Sequence, residues 1–304
     1  MRSPQIAIVG TTASGKSALA MALASTQPDV EIVCVDAMQV YRRMDIGTAK
    51  PTKQDQLQVP HHLLDLVEPS VSFSVTDFQT AANVATTDIV RRDRIALLVA
   101  GTGLYLKSLT DHFDPPGRWP DIRAALEAEA AAGEGPGPLY SRLQRLDPAA
   151  ATKMEPTNGR RIIRALEVCI GSGRPFSSYG PGVDAYPPST ITQVGIRWPR
   201  AALTERISAR VQAMVADGLV AEVQSLAAEP AGLSPTARQA LGYKEIIDHL
   251  EGRASLEKAI SLIVQRTRQF AVRQDRWFRR DPRIRWIELV ESPLEAFPLL
   301  RSLM

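Results

Sequence analysis

The sequence predicts an α/β fold: a parallel sheet flanked by helices, with a glycine loop near the N-terminus and a helical insertion further along. Three observations carry this. A short apolar run at 5–9 stops at Gly10, and the helix formers Ala18-Leu19-Ala20-Met21-Ala22-Leu23-Ala24 follow a glycine-containing turn. Strand, loop and helix in that order open a parallel sheet. Two more apolar runs, 31–35 and 95–100, have the near-continuous hydrophobicity of strands buried on both faces. After Asp114 the texture changes, and at residue 191 it returns.

The remaining elements follow from local signals. Residues 75–92 read as a helix between the second and third apolar runs. Asp114-Pro115-Pro116-Gly117-Arg118-Trp119-Pro120 is a cluster of chain breakers. An Ala/Glu-rich helix at 121–132 comes next, then a Gly/Pro break at 133–138. Short helices follow at 139–146, 148–154 and 159–170, with Asp147 as N-cap and Pro148 at the first helical position of the second. The Pro/Gly/Ser stretch 171–190 reads as a mobile loop, and 191–197 as a strand of the resumed α/β texture. The division predicted is therefore a core of 1–114 with 191–304, and a helical insertion of 115–190. No internal repeat is visible. The C-terminal third reads as helical. In 201–216, Leu203, Ile207, Val211 and Met214 form one apolar stripe, while Arg206 and Arg210 share another face. In 255–280, Ile260, Ile263, Val264, Phe270, Ala271, Trp277 and Phe278 form the apolar face. Trp277 and Phe278 are read there as helix core rather than a platform for bases. Arg266, Arg273, Arg276 and Arg280 fall on an adjoining face.

Composition sets the outer limits. The chain has 304 residues, 44% hydrophobic and 23% charged, which is ample for a sizeable core. No apolar run approaches the roughly 20 residues that span a bilayer. Met1-Arg2-Ser3-Pro4-Gln5 lacks the pattern of a secretory signal. Cys34 and Cys169 sit in apolar contexts, so neither a disulfide framework nor a zinc site is expected. Adjacent His61 and His62 lack the spacing of helix-borne metal ligands. Together these point to a cytoplasmic protein without a membrane partner. A net charge of +3 says little, but 266–285 holds Arg266, Arg268, Arg273, Arg276, Arg279, Arg280, Arg283 and Arg285 against Asp275 and Asp281. That local excess is a candidate phosphate-binding surface.

Gly10-Thr11-Thr12-Ala13-Ser14-Gly15-Lys16-Ser17 fits G-x-x-x-x-G-K-[ST], the P-loop pattern, between a predicted strand and helix. Its glycines let backbone amides wrap a phosphate at a helix N-terminus. Lys16 adds a point charge, and the Ser17 hydroxyl suits Mg²⁺. A P-loop specifies phosphate and leaves the reaction open. An ordinary nucleotide hydrolase also places a carboxylate after an apolar strand. The strand at 95–100 runs instead into Gly101-Thr102-Gly103-Leu104-Tyr105. The strand at 31–35 does end in an acid, Asp36, in the crevice where such sheets bind ligands. From the residues alone, Asp36 is a Mg²⁺ ligand, a general base or a loop-capping group.

Beyond the P-loop, Asp36-Ala37-Met38-Gln39-Val40-Tyr41, Met44-Asp45-Ile46-Gly47-Thr48-Ala49-Lys50-Pro51 and Pro60-His61-His62-Leu63-Leu64-Asp65 form a recognisable series. It continues with Gly101 to Tyr105, Arg160-Arg161-Ile162-Ile163-Arg164-Ala165-Leu166-Glu167, Arg238-Gln239-Ala240-Leu241-Gly242-Tyr243 and Thr267-Arg268-Gln269-Phe270-Ala271-Val272-Arg273-Gln274. Taken in order, these resemble the tRNA dimethylallyltransferases, also called tRNA isopentenyltransferases. Two departures stand out: Ala100 opens Ala100-Gly101-Thr102 where the family has glycine, and Val272 replaces a usual basic residue.

The resemblance implies transfer of a dimethylallyl group from dimethylallyl diphosphate to N6 of adenosine 37 in tRNA, next to the anticodon, with Mg²⁺ as cofactor. It implies a P-loop (Gly10, Thr11, Thr12, Ala13, Ser14, Gly15, Lys16, Ser17) that holds diphosphate rather than hydrolysing ATP. Asp36 would be the general base and Thr102 the channel threonine. Arg206, favoured over Arg210, would face the diphosphate. RNA contacts would come from Asp36, Ala37, Met38, Gln39 and Thr102, and on the insertion from Arg123, Arg160, Arg161, Ile162, Ile163 and Arg164. Arg238, Gln239, Ala240, Leu241, Gly242, Tyr243, Arg273 and Arg276 would complete the surface around the anticodon arm. The rival readings are a small-molecule P-loop kinase with Asp36 as base, which has no use for the arginines, and an RNA-binding protein without catalysis, which has none for Asp36 and Thr102.

Overall fold

The computed structural model describes residues 5–111, 116–133, 135–180 and 182–304. Met1-Arg2-Ser3-Pro4, Asp114 and Pro115 of the breaker cluster, and one residue each of the stretches 133–138 and 171–190 lie outside the described residues. By its packing the chain divides into one unit of residues 1–112 with 186–304 and a second of 113–185.

The first unit opens with β1 (Gln5–Val9), α1 (Lys16–Ala24), β2 (Val30–Val35), α2 (Lys53–Gln58), β3 (His61–His62), α3 (Val75–Arg91), β4 (Ile95–Ala100) and α4 (Gly103–Thr110). The second unit supplies α5 (Pro120–Ala132), α6 (Gly137–Leu146), α7 (Pro148–Ala151) and α8 (Gly159–Ser172). The first resumes with β5 (Ile191–Arg197), α9 (Arg200–Ala216), α10 (Leu219–Ala227), α11 (Tyr243–Leu250), α12 (Leu256–Phe278), β6 (Arg285–Glu288) and α13 (Phe297–Ser302). The strands form one sheet in the order β3-β2-β4-β1-β5-β6, and each pairing is parallel.

All residues of β2 and β4 are buried, as the near-continuous hydrophobicity of central strands requires; the one charged residue, Glu31, is paired with Arg92 and His62. Alternate side chains go to opposite faces. Ala7, Val9, Val33, Val35, Leu98 and Ala100 join the core with Phe78 of α3 and Tyr105 of α4, whose rings stack at 4.3 Å. Ile6, Ile8, Ile32, Cys34, Leu97 and Val99 join Leu19 and Leu23 of α1 on the other face. Ser74 caps α3 reciprocally with Asp77, and Ser255 caps α12 through the Lys258 amide. Each such cap contributes about 1 kcal/mol.

The second unit has its own core of Leu126, Leu139, Leu143, Ile162, Ile163 and Leu166. Asp147 caps α7 through the Ala150 amide at 3.0 Å and also accepts the Ser177 amide at 2.7 Å. A side chain at Gly171 would meet the Trp119 ring at 2.1 Å, so this helix position has room only for glycine.

The C-terminal third is not wholly helical. Arg285 to Glu288 pair with Val194 to Arg197 and extend the sheet by a parallel edge strand. Four residues, the outer two exposed, are too short for a period-2 signal.

Candidate active site

The P-loop follows β1 and wraps into α1. Gly15 has φ +91°, and a Cβ there would lie 2.3 Å from Pro293 Cγ, so backbone conformation and space both demand glycine. Three long-range bonds hold the loop from outside. The Trp198 indole donates to Ser14 O at 2.9 Å, Arg206 Nε donates to Ala13 O at 2.9 Å, and the Thr12 amide donates to Gln274 Oε1 at 2.8 Å. The amides of Gly15, Lys16 and Ser17 bond no acceptor among the described residues, as the first turn of a helix leaves them. Lys16 is buried, and its Nζ donates to Thr11 O at 2.7 Å. Burial, reinforced by Arg210 and opposed by Asp36, brings its pKa from the ordinary 10.5 down to about 7.

Asp36 follows β2 directly. Its Oδ1 accepts the amides of Met38 and Gln39 at 2.8 and 3.3 Å, while Oδ2 accepts no bond among the described residues. Thr102 follows β4, and its Oγ1 accepts the Ala37 amide at 3.2 Å. P-loop, Asp36 and Thr102 thus sit at the C-terminal ends of β1, β2 and β4, three neighbours in the sheet. Gln39 Nε2 donates to the carbonyls of Thr48 and Ala49 at 3.2 and 3.1 Å, which ties the Asp36 loop to the 44–51 segment.

The P-loop, Asp36, Gln39 and Gly101 line one cavity of about 480 Å³, while Thr102, expected in the channel, stands behind that lining. Lys16, Arg210 and Arg273 are its cations and Asp36 its anion; Ile207, Val211, Met214, Leu219, Ile263 and Phe270 line it with hydrocarbon. Arg210 has no hydrogen bond or ion pair to any described residue, and burial lowers its pKa against the pull of Asp36. Arg206 lies beside the loop rather than in the cavity lining, with its guanidinium 4.4 Å from the Trp198 ring. Arg210 thus faces the cavity, and Arg206 holds Ala13 with Nε while its terminal nitrogen lies 3.4 Å from where a Cβ at Gly15 would stand.

The IPP transferase family model matches residues 39–281. This chain belongs to that family, the tRNA dimethylallyltransferases. The tRNA dimethylallyltransferase of Salinispora arenicola is 47% identical over 291 residues, covering 96% of this chain and 84% of that protein. That of Geobacter metallireducens is 47% identical over 287 residues, covering 93% and 92%. Among solved structures, the full-length tRNA isopentenylpyrophosphate transferase of Bacillus halodurans aligns at TM-score 0.71 and 36% identity, covering 99% of this chain and 97% of that one. A eukaryotic dimethylallyltransferase described as acting on tRNA aligns at TM-score 0.79 and 27% identity, covering 99% and 78%. A P-loop kinase and a non-catalytic RNA binder are both set aside by this membership.

Several residues that the family motifs offered for RNA contact do other work. Ile162 and Ile163 are 0% and 7% exposed, and their side chains fill the core of the second unit. Tyr243 is fully buried, and its hydroxyl donates to Glu222 at 2.6 Å. Glu222 also accepts the amides of Asp45, Ile46 and Gly47, so Tyr243 braces the 44–51 segment from within. Ala240 is buried too, although it borders the cavity with Gln239, Leu241 and Gly242. Arg238 pairs with Glu251, and Arg123 with Glu127. Arg164 donates to Pro116 O at 2.7 Å and pairs with buried Glu167.

The arginine-rich stretch shrinks likewise. Arg266 pairs with buried Glu245 at 2.5 Å, and Arg283 with Asp111 at 2.7 Å and Asp281 at 2.6 Å. Arg268 donates to Ser208, and Arg279 faces Asp275 at 3.8 Å. Arg273 and Arg276 remain exposed, and Arg160 and Arg161 are exposed on α8. Phe278 is core, and Trp277 packs where a Cβ at Gly103 would meet it at 2.1 Å.

Proposed function

We propose that this chain transfers the dimethylallyl group of dimethylallyl diphosphate to N6 of adenosine 37 of tRNA. The observation that carries the reading is the cavity, which brings Lys16 of the P-loop, Arg210 and Asp36 together with a hydrocarbon lining. A five-carbon allyl group suits the apolar stretch, while its diphosphate suits the open amides of Gly15, Lys16 and Ser17 together with Arg210.

The chemistry asks for these groups. The adenine N6 lone pair is delocalised into the ring, so its attack on the allylic carbon needs a base for the proton it sheds. Oδ2 of Asp36 is the candidate, because Oδ1 is already held by two amides. As the nitrogen–carbon bond forms, the carbon–oxygen bond breaks and diphosphate departs with the electron pair. Lys16, Arg210 and the terminal nitrogens of Arg206 stabilise the charge left on oxygen. Thr102 orients the loop of Asp36 through the Ala37 amide.

Mg²⁺ fits the residues present. The Ser17 hydroxyl is a hard oxygen donor on the cavity wall. Among the described residues no three His, Cys, Asp or Glu side chains gather to hold a metal alone. That matches an ion held mostly by substrate phosphate and water. When bound, it neutralises charge on the leaving diphosphate.

A base within an anticodon arm must leave its stack to reach such a site. Exposed Arg273, Arg276, Arg160 and Arg161 are the proposed phosphate contacts. No described helix is long and apolar enough to cross a membrane, and cytoplasmic residence goes with a tRNA substrate. Nucleoside analysis of tRNA incubated with the protein, Mg²⁺ and dimethylallyl diphosphate tests the reading. N6-dimethylallyladenosine at position 37 is expected, and unmodified tRNA contradicts it.

A further inference from the structure

The P-loop and the Gly101–Thr102 turn must keep a fixed separation if diphosphate and amine are to meet, yet neither loop bonds the other directly among the described residues. The ladder between β1 and β4 ends at Val9 and Ala100, one residue before each loop begins. The gap is closed by one side chain from a third element. Gln274 on α12 is 7% exposed and borders the cavity. Its Oε1 accepts the Thr12 amide at 2.8 Å, and its Nε2 donates to Gly101 O at 2.7 Å. The two partners fix the amide's orientation, since one is an N–H and the other a carbonyl.

We propose that Gln274 is a positioning residue that sets the distance between the diphosphate loop and the base-bearing loops. The path runs from Thr12 through Gln274 to Gly101, then from the Thr102 hydroxyl to the Ala37 amide beside Asp36. The Gly101 turn also donates its own amide and that of Thr102 to Val35 O at 3.3 Å, so movement at Gly101 is passed on to the end of β2. A Cβ at Gly101 would stand 3.5 Å from Asp36 Oδ2 and 3.7 Å from Gln274 Nε2, so the three residues are neighbours. Only a neutral amide of this length supplies both an acceptor and a donor without bringing charge next to Lys16 and a diphosphate. The proposal rests on the transferase reading above.

The test is a double-mutant cycle on single-turnover transfer with Gln274→Met, which keeps the size and loses both bonds. Loss of each hydrogen bond is worth about tenfold, so the rate is expected to fall about 10–100-fold. Asp36→Asn should then slow the Gln274→Met protein far less than it slows the wild type, because the base is already misplaced. Independent, multiplying effects, or a normal rate in the folded fraction with only a lower Tm, would overturn the proposal. Gln274→Asn, a methylene too short to reach both partners, replaces the Met variant if that one does not fold, and the same outcomes apply. Binding of inorganic diphosphate separates this failure from failure of the transferase reading. If the wild type transfers nothing, the functional reading is wrong. Gln274→Met should still weaken diphosphate binding about tenfold through Thr12, and unchanged binding would overturn the Gln274 assignment by itself.

Discussion

Arg206 Nε donates to the carbonyl of Ala13 at 2.9 Å, which ties α9 to the P-loop across a sequence gap of 193 residues. Its guanidinium lies over the Trp198 ring, and that indole in turn donates to Ser14 O. The same helix turn thus shapes the loop with one arginine and charges the cavity with another, Arg210.

The two arginines should fail differently. Arg206→Lys keeps the charge but loses the fork that serves carbonyl and ring together. Transfer should fall about 10–100-fold, the worth of a hydrogen bond to a charged group, with poor rescue by added diphosphate substrate. Arg210→Ala should mainly raise KM for dimethylallyl diphosphate. Steady-state kinetics on both variants check this, and identical profiles would remove the distinction.

Lys16 makes diphosphate binding sensitive to pH. Its folded-state pKa of about 7 lies below the ordinary 10.5 because of burial and Arg210, with Asp36 opposing. Between these values the unfolded chain holds a proton that the folded chain lacks, so stability rises with pH across that window. Below 7 both states are protonated and the destabilisation is at its full size. A bound diphosphate restores the proton, so affinity should fall as pH climbs above 7, by up to tenfold per unit. Calorimetry at pH 8 in buffers of differing ionisation enthalpy should show uptake of close to one proton. Lys16→Met should show none.

Glu222 should be structural for the 44–51 segment. It gathers the amides of Asp45, Ile46 and Gly47 and the hydroxyl of Tyr243. Burial and the facing Glu222 carboxylate raise the Tyr243 pKa, so the phenol remains a donor at all ordinary pH. Glu222→Ala orphans these donors and should cost about 3 kcal/mol or more, seen as a lowered Tm. Tyr243→Phe removes one bond and should cost about 1 kcal/mol.

Salt dependence should sort the arginines. Replacing Arg273 and Arg276 together by alanine should make the slope of log K against log salt shallower by about 1.4–1.8, two phosphate contacts' worth. Arg266→Ala should leave that slope unchanged and lower Tm instead, because it strands buried Glu245. An unaltered slope in the double variant would leave Arg273 and Arg276 as a solvated face.

These contrasts mark where the sequence is legible. The parallel strands β1, β2 and β4 were readable because burial on both faces forces nearly continuous hydrophobic runs, and β5, which carries Thr192, Gln193 and Arg197, because it resumes the α/β texture after the insertion. The P-loop was readable because glycine, lysine and serine have fixed spacing around an anion. Asp36 stood out as an acid closing an apolar strand. Pairing, by contrast, leaves no trace in a single chain. Nothing local separates Arg266, consumed by Glu245, from exposed Arg273 on the same helix. Ile162 and Ile163 carry a contact motif but point inward, because an amphipathic helix has to fill the second unit's core. Gln274 closes the 267–274 motif yet does not stand out as a site residue: a neutral amide among arginines has neither charge nor period to show which backbone groups it bonds.

The central claim is that Asp36 takes the proton from the attacking adenosine. Asp36→Asn keeps the shape and an oxygen for the Met38 and Gln39 amides but cannot accept that proton. Single-turnover transfer, measured together with diphosphate affinity and Mg²⁺ dependence on this one variant, is the direct test. The account expects near-normal binding of diphosphate, Mg²⁺ and tRNA, with transfer slowed about 10²–10⁴-fold. Recovery of the rate with added Mg²⁺ would make Asp36 a metal ligand instead, and near-normal turnover with a lowered Tm would leave it no catalytic role.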